Sequence, residues 1–210
     1  MKYILLTVLS ILVIGCSSQK TETTTWRGFK KDYLPDGWRL SDDGTLTHTK
    51  GGGDIITISE YSDFVLELDW KISKGGNSGI FFRVDEDHDY VWQTGAEMQV
   101  LDNKAHENGL DPKTSAGSNY AMHAPNEDVT KPVGEWNHVK LVVDGAHVEH
   151  WLNGKKILEY ELWSDDWNEL VANCKFKDMP DYCLNKSGHI ALQDHGDLVS
   201  FRNIQITPIK

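Results

Sequence analysis

Two dipeptides, Asp144-Gly145 and Asn153-Gly154, constrain this chain more than any other feature. Both supply residues that tolerate φ > 0, which tight antiparallel hairpins demand. They separate three strand-like runs, Val139–Val143, His147–Leu152 and Lys155–Tyr160, so a three-strand antiparallel meander is expected. Upstream, Phe64, Leu66, Leu68 and Trp70 alternate with Val65, Glu67, Asp69 and Lys71, the period of two of a strand with one apolar face. Lys74–Gly79 reads as a Gly-rich turn, and Ile80–Val84, Glu97–Asp102, His189–Gln193 and Leu198–Thr207 read as further strands. Ser164–Ala172 has helical composition, with Ser164 as N-cap and Asp165 and Asp166 in the first turn. Short strands, one short helix and no βαβ alternation give an all-β antiparallel sandwich, one domain over residues 26–210.

The N-terminus reads as an export signal. Lys2 precedes Tyr3–Ile14, an apolar stretch too short to span a bilayer. It ends in Val13-Ile14-Gly15-Cys16, the pattern of a bacterial lipobox. Residues 1–15 are therefore expected to be removed, Cys16 to carry acyl chains, and residues 16–25 to act as a polar tether. The protein would be an exported bacterial lipoprotein of the periplasm or cell surface, anchored in the outer membrane and touching membrane only through its lipid. Loss of Lys2 takes the formal net charge from −11 to −12. An acidic chain with no Lys/Arg cluster is a poor nucleic-acid binder. Two cysteines then remain, and Cys174 and Cys183, which flank the segment Lys175–Tyr182, are expected to form a local disulfide.

Several residues could carry chemistry. On a strand, Glu97 and Gln99 share one face and Met98 and Val100 the other, so the polar pair lines either a groove or an ordinary solvent face. Gln193-Asp194-His195-Gly196-Asp197 follows a short apolar strand, and the imidazole of His195 suits proton transfer near neutral pH. Asp194, His195 and Asp197 read equally as metal ligands or as a hydrogen-bonded turn. Arg202 is either a paired structural arginine or a ligand clamp. Asp85-Glu86-Asp87-His88-Asp89 has the spacing that opens a calcium loop. Tyr90 replaces its turn glycine and Ala96 its bidentate glutamate, so a solvated loop is expected. Trp70 falls on the apolar face of its strand and reads as core, whereas Trp92, beside Tyr90 in a polar loop, suits stacking on a sugar ring.

Taken together, Gly76-Asn77-Ser78-Gly79-Ile80-Phe81-Phe82-Arg83, Glu97–Asn103, Gly134-Glu135-Trp136-Asn137, Trp151-Leu152-Asn153-Gly154, Gly188–Gly196 and Phe201-Arg202-Asn203-Ile204 resemble the 3-keto-disaccharide hydrolase family. That family was formerly domain of unknown function 1080 and is also described as 3-keto-glucoside-1,2-lyase/3-keto-2-hydroxy-glucal hydratase. The resemblance spans about residues 26–208. It implies a concanavalin/laminin-G-like jelly roll with the site on its concave face, acting on 3-keto-glucosides or 3-keto-disaccharides. A C3 ketone acidifies the C2 proton, so a base can form an enolate that expels the C1 substituent. Within that scheme the resemblance makes His195 and Glu97 the acid–base pair and Asp194 the residue that orients His195. It makes Arg83 and Arg202 clamps, and Gln99, Gln193 and Trp92 sugar contacts. A divalent metal on Glu97 and His195 is an admissible Lewis acid in the same scheme. The rival from another class is a non-catalytic carbohydrate-binding module on the same sandwich.

Overall fold

Short strands punctuated by turns are what the sequence dictates. The computed structural model, which describes residues 25–209, orders them as β1 (Trp26–Gly28), β2 (Trp38–Leu40), β3 (Leu46–His48), β4 (Ile55–Thr57), β5 (Phe64–Ile72), β6 (Asn77–Val84) and β7 (Ala96–Leu101). There follow β8 (Asn137–Asp144), β9 (His147–Leu152), β10 (Lys155–Glu161), the helix α1 (Asp165–Ala172), β11 (His189–Leu192) and β12 (Val199–Pro208). The segment expected to be a signal peptide, the expected lipidation site Cys16 and all of the expected tether except Thr25 lie outside the described residues.

The strands form a jelly-roll sandwich of two antiparallel sheets, with strand orders β1-β4-β11-β6-β7 and β10-β9-β8-β5-β12-β3-β2. The seven-stranded sheet buries one face. Phe64, Leu66, Leu68, Trp70 and Ile72 of β5 point into the core, and the intervening residues are only half-buried. Each such side chain contributes about 1.5–3 kcal/mol by leaving water. The five-stranded sheet is covered on both sides, and all eight residues of β6 are buried. Ile80 and Phe82 join the core between the sheets, whereas Phe81 and Val84 pack outside with Ile56, Val91 and Ala191, backed by Phe29 and Trp92. Loops therefore lie over the outer face of this sheet, and the candidate site forms among them.

The meander forms as expected, with one change of turn. Leu152 pairs with Lys155, leaving Asn153 (φ 51°) and Gly154 (φ 83°) as a turn with φ > 0 at both central residues. Asp144, however, pairs with His147, so the first hairpin turns through Gly145-Ala146 instead of Asp144-Gly145. Only Gly145 has φ > 0 there (59°), the arrangement with glycine at the first central position. The helix is capped as read: Ser164 Oγ accepts the Trp167 N–H at 3.1 Å. The acidic loop holds Glu86 against Arg27 (2.6 Å) and His88 against Asp181 (3.0 Å), as ordinary surface pairs. Cys174 and Cys183 are free thiols, not the expected disulfide. Cys183 is buried, and its backbone carbonyl accepts the Trp163 indole N–H at 2.7 Å.

Candidate active site

The site begins with a glycine in the middle of a strand. Gly79 lies opposite Gln99, and Phe81 opposite Glu97, across the β6–β7 ladder. A Cβ on Gly79 would collide with the Glu97 carboxyl and the Phe81 ring. The missing side chain is therefore the room in which Glu97 lies, a known use of glycine within strands. Around Glu97 opens a pocket of about 390 Å³. Gln99, Asn77 and Gln193 line its polar wall, Trp92, Phe176 and Met179 its apolar wall, and Tyr120, Lys175 and His195 complete it. Its volume falls in the ~300–1,000 Å³ range of small-molecule sites.

Its electrostatics are unusual for an acidic protein. Glu97 is 7% exposed, and no hydrogen bond to its carboxyl occurs among the described residues. Burial pushes its pKa up to about 8, with Lys175 opposing the shift and Asp54 adding to it. The carboxyl is thus mostly protonated at neutral pH. Burial also lowers Lys175, against the pull of Glu97, and its Nζ lies 4.2 Å from the centroid of the Tyr120 ring. Tyr120 is raised by burial and then by Glu97. Asn77 Oδ1 and Gln193 Oε1 are buried without a hydrogen-bond partner. Such acceptors cost about 1–3 kcal/mol each unless something donates to them. A polyhydroxylated ligand would supply those donors.

A second buried group braces the loop that carries His195. His48 is fully buried, with Nδ1 2.8 Å from Asp197 O and Nε2 2.9 Å from Asp194 Oδ1 and 3.2 Å from Gly51 O. Both ring nitrogens face oxygen atoms, so His48 ties Gly51 to the segment Asp194–Asp197. Asp194 Oδ2 also accepts the Gly53 N–H at 2.8 Å, and the Asp194 N–H donates to Asp54 Oδ1 at 2.9 Å. Burial pushes Asp54 up to about 6, with the Asp194 charge adding to the rise and the Asp194 N–H and His48 opposing it.

Glu97, Gln99, Gln193, His195 and Trp92 come together in one pocket, and Trp92 stacks on Tyr90 at 5.1 Å between ring centroids. Four expectations are corrected. Asp194 holds His48 and the Gly53 backbone instead of orienting His195. Arg83 is an extra residue in β6 with φ +55°, and its guanidinium donates to Ser62 O, Asp63 Oδ1 and Gly145 O, away from the pocket. Arg202 lies on the seven-stranded sheet, 3.2 Å from Asp69 and with Cζ 4.0 Å from the Trp136 ring centroid. The pair Glu97 and His195 does not fit a resident divalent ion. Among the described residues the group with three converging donors is His147, Glu149 and Glu159, on the seven-stranded sheet, and Lys175 already supplies positive charge beside Glu97. Asn77, Tyr120 and Lys175 were not singled out in the sequence. Asn77 falls in the Gly-rich turn expected over 74–79 but opens β6, whereas Tyr120 and Lys175 come from loops with no pattern to read.

A family model described as 3-keto-alpha-glucoside-1,2-lyase-like domain matches residues 19–207 of the chain. A Bacteroides thetaiotaomicron protein named 3-keto-disaccharide hydrolase is 36% identical over 212 residues, covering 86% of this chain and 73% of the relative. Among solved structures, a Parabacteroides distasonis ATCC 8503 protein assigned provisionally as a glycosyl hydrolase superposes with a TM-score of 0.81. It is 34% identical, and the match covers 88% of each chain. The carbohydrate binding module CBM66 of Bacillus subtilis superposes with a TM-score of 0.55 at 17% identity, covering 88% of this chain and 96% of that one. At that identity the likeness is one of fold alone.

Proposed function

We propose, since the chain belongs to the 3-keto-alpha-glucoside-1,2-lyase-like family, that its concave-face pocket cleaves 3-keto-glucosides by elimination followed by hydration. The observation that carries this reading is a buried carboxyl, an amine and an imidazole around one pocket whose wall has unpartnered amide oxygens. His195, exposed at the pocket mouth, takes the C2 proton. The electron pair of that C–H bond passes to the C3 carbonyl as an enolate, whose oxygen is stabilised by the Lys175 ammonium. Collapse of the enolate breaks the C1–O bond, and Glu97 gives its proton to the departing oxygen. Water then adds across C1 and C2 of the 2-hydroxy-3-keto-glucal, with hydroxyl to C1 and proton to C2, completing a net hydrolysis. Asn77, Gln99 and Gln193 receive sugar hydroxyls, and Trp92 covers a ring face.

A carboxylate pair across an oxocarbenium ion, the requirement of ordinary glycosidases, is not needed in this scheme. Incubation with matched 3-keto and unmodified glucosides tests the reading. Release of aglycone from the 3-keto compound alone supports it, and sugar binding without release from either would replace it with a binding module. The lipobox adds a location: the enzyme works outside the cytoplasm on a lipid anchor at Cys16. Cys16→Ser should abolish labelling by a lipid precursor, and persistent labelling would remove the anchor.

A further inference from the structure

Lys175 stands where a lysine ordinarily keeps its ammonium in water. Its position in the turn-rich segment after α1 is exposed, yet the side chain turns back to line the candidate active site. There Nζ lies 4.2 Å from the centroid of the Tyr120 ring and 5.1 Å from that of Phe176. Both distances are within the ~6 Å over which an aromatic face attracts a cation. Glu97 pulls on the same charge through its field, without a hydrogen bond between the two side chains. Once Glu97 holds its own proton that pull is gone, and the rings still favour the ammonium.

Neither ring depends on Lys175 for its place. Residues 117–120 are laid along β7: the Gly117 N–H donates to Gln99 O at 2.8 Å, the Gln99 N–H to Ser118 O at 3.1 Å and the Tyr120 N–H to Glu97 O at 3.0 Å. The far end of the Tyr120 ring is tied as well, its hydroxyl accepting from Asn108 Nδ2 at 3.3 Å. Phe176 is 2% exposed and stacks on Tyr182 at 4.0 Å between centroids, and Tyr182 stacks in turn on Trp167 of α1 at 6.2 Å. A strand edge and a helix thus each present a fixed ring, and the flexible lysine stem lies between them.

We infer that Tyr120, assisted by Phe176, is a positioning residue that holds the Lys175 ammonium over the pocket. This role rests on the elimination proposed for the pocket, in which that ammonium meets the C3 oxygen as the enolate forms. A ring face suits the task better than a carboxylate. It favours the cation without an ion pair that the enolate oxygen would have to break. It also occupies little of the ammonium's donor capacity, which leaves N–H groups for the substrate. The ring does this work and the phenol hydroxyl does not, so the two can be separated by substitution.

Reductive methylation of the whole protein with isotope-labelled formaldehyde tests the inference. It turns each lysine amine into a dimethylamine that keeps its charge and reports by heteronuclear NMR, and the Lys175 signal is the one absent from Lys175→Arg. In the parent its methyl protons should lie upfield of the other lysines, displaced by the Tyr120 ring current. Tyr120→Phe, which keeps the ring, should preserve that displacement. Tyr120→Leu should abolish it and lower the pH at which the amine titrates by about half a unit, the scale of a surface cation–π contact. Glu97 on β7, Cys174 beside Lys175 and His195 across the pocket are common to all these proteins, so the difference belongs to the ring. With unmethylated protein, kcat for a 3-keto-glucoside should be about tenfold lower in Tyr120→Leu than in Tyr120→Phe, with KM little changed. A parent methyl signal at the position of the other lysines would overturn the inference without recourse to any variant. So would equal titration or equal kcat in the Leu and Phe variants, which would leave Tyr120 a packing role only. Failure of the elimination itself would look different: the parent would release no aglycone while the methyl signal stayed displaced, and the contact would lose its catalytic role.

Discussion

Glu97 is the residue on which burial, charge and chemistry meet. Its pKa of about 8 lies above the ordinary value of 4.5, so folding favours the protonated form. That contribution is full below about pH 4.5, where both states are protonated, and is lost as pH rises towards 8, because the unfolded chain ionises first. Glu97→Gln should therefore leave stability nearly unchanged at pH 4. At pH 9 it should raise stability relative to the parent by an amount on the order of a few kcal/mol, read by urea melts at the two values. The same substitution keeps the shape and cannot deliver a proton. It should lower turnover of a 3-keto-glucoside by about two to four orders of magnitude, as should His195→Ala. A gain in stability with a loss of activity is the pattern of a strained functional carboxyl. Gly79→Ala tests the room beneath it: the added methyl meets Glu97 and Phe81, and activity should fall although no polar group is lost.

At the scale of elements, the strands were legible and their irregularities were not. Period-two alternation in β5 and the Asn153-Gly154 turn between β9 and β10 are local signals that survive folding, whereas the β8–β9 turn moves one residue on from Asp144-Gly145. Glu97 is legible because it lies on a readable strand, and His195 because it follows one. Lys175 and Tyr120 are not, because their loops are held over the sheet by contacts distant in sequence. Arg83 shows the cost of assuming a regular pleat. In register terms, Phe81 faces Ala191 and Val84 faces His189, so β6 carries one residue more than β11 between those pairs. The extra residue turns Arg83 to bind the segment before β5 and the turn after β8. Arg83→Met should cost about 2–3 kcal/mol, the scale of lost hydrogen bonds from a buried charge, while activity per folded molecule stays unchanged. A loss of kcat without a loss of stability would return Arg83 to the site.

For the whole molecule, division of labour between the sheets follows from their coverage. The seven-stranded sheet buries one face and supports, while the five-stranded sheet is covered on both and holds the pocket. The net charge of −11 would repel acidic ligands at long range, which agrees with a neutral sugar as substrate. The rate constant kcat/KM for a neutral 3-keto-glucoside should accordingly change little with ionic strength, measured from low salt to about 0.5 M. The most direct test of the elimination itself follows the C2 hydrogen. A 3-keto-glucoside deuterated at C2 should release its aglycone with loss of that deuterium to solvent, and the parent glucoside should not react. Cleavage of the unmodified glucoside at the same rate, with C2 deuterium retained in the product, would contradict the account.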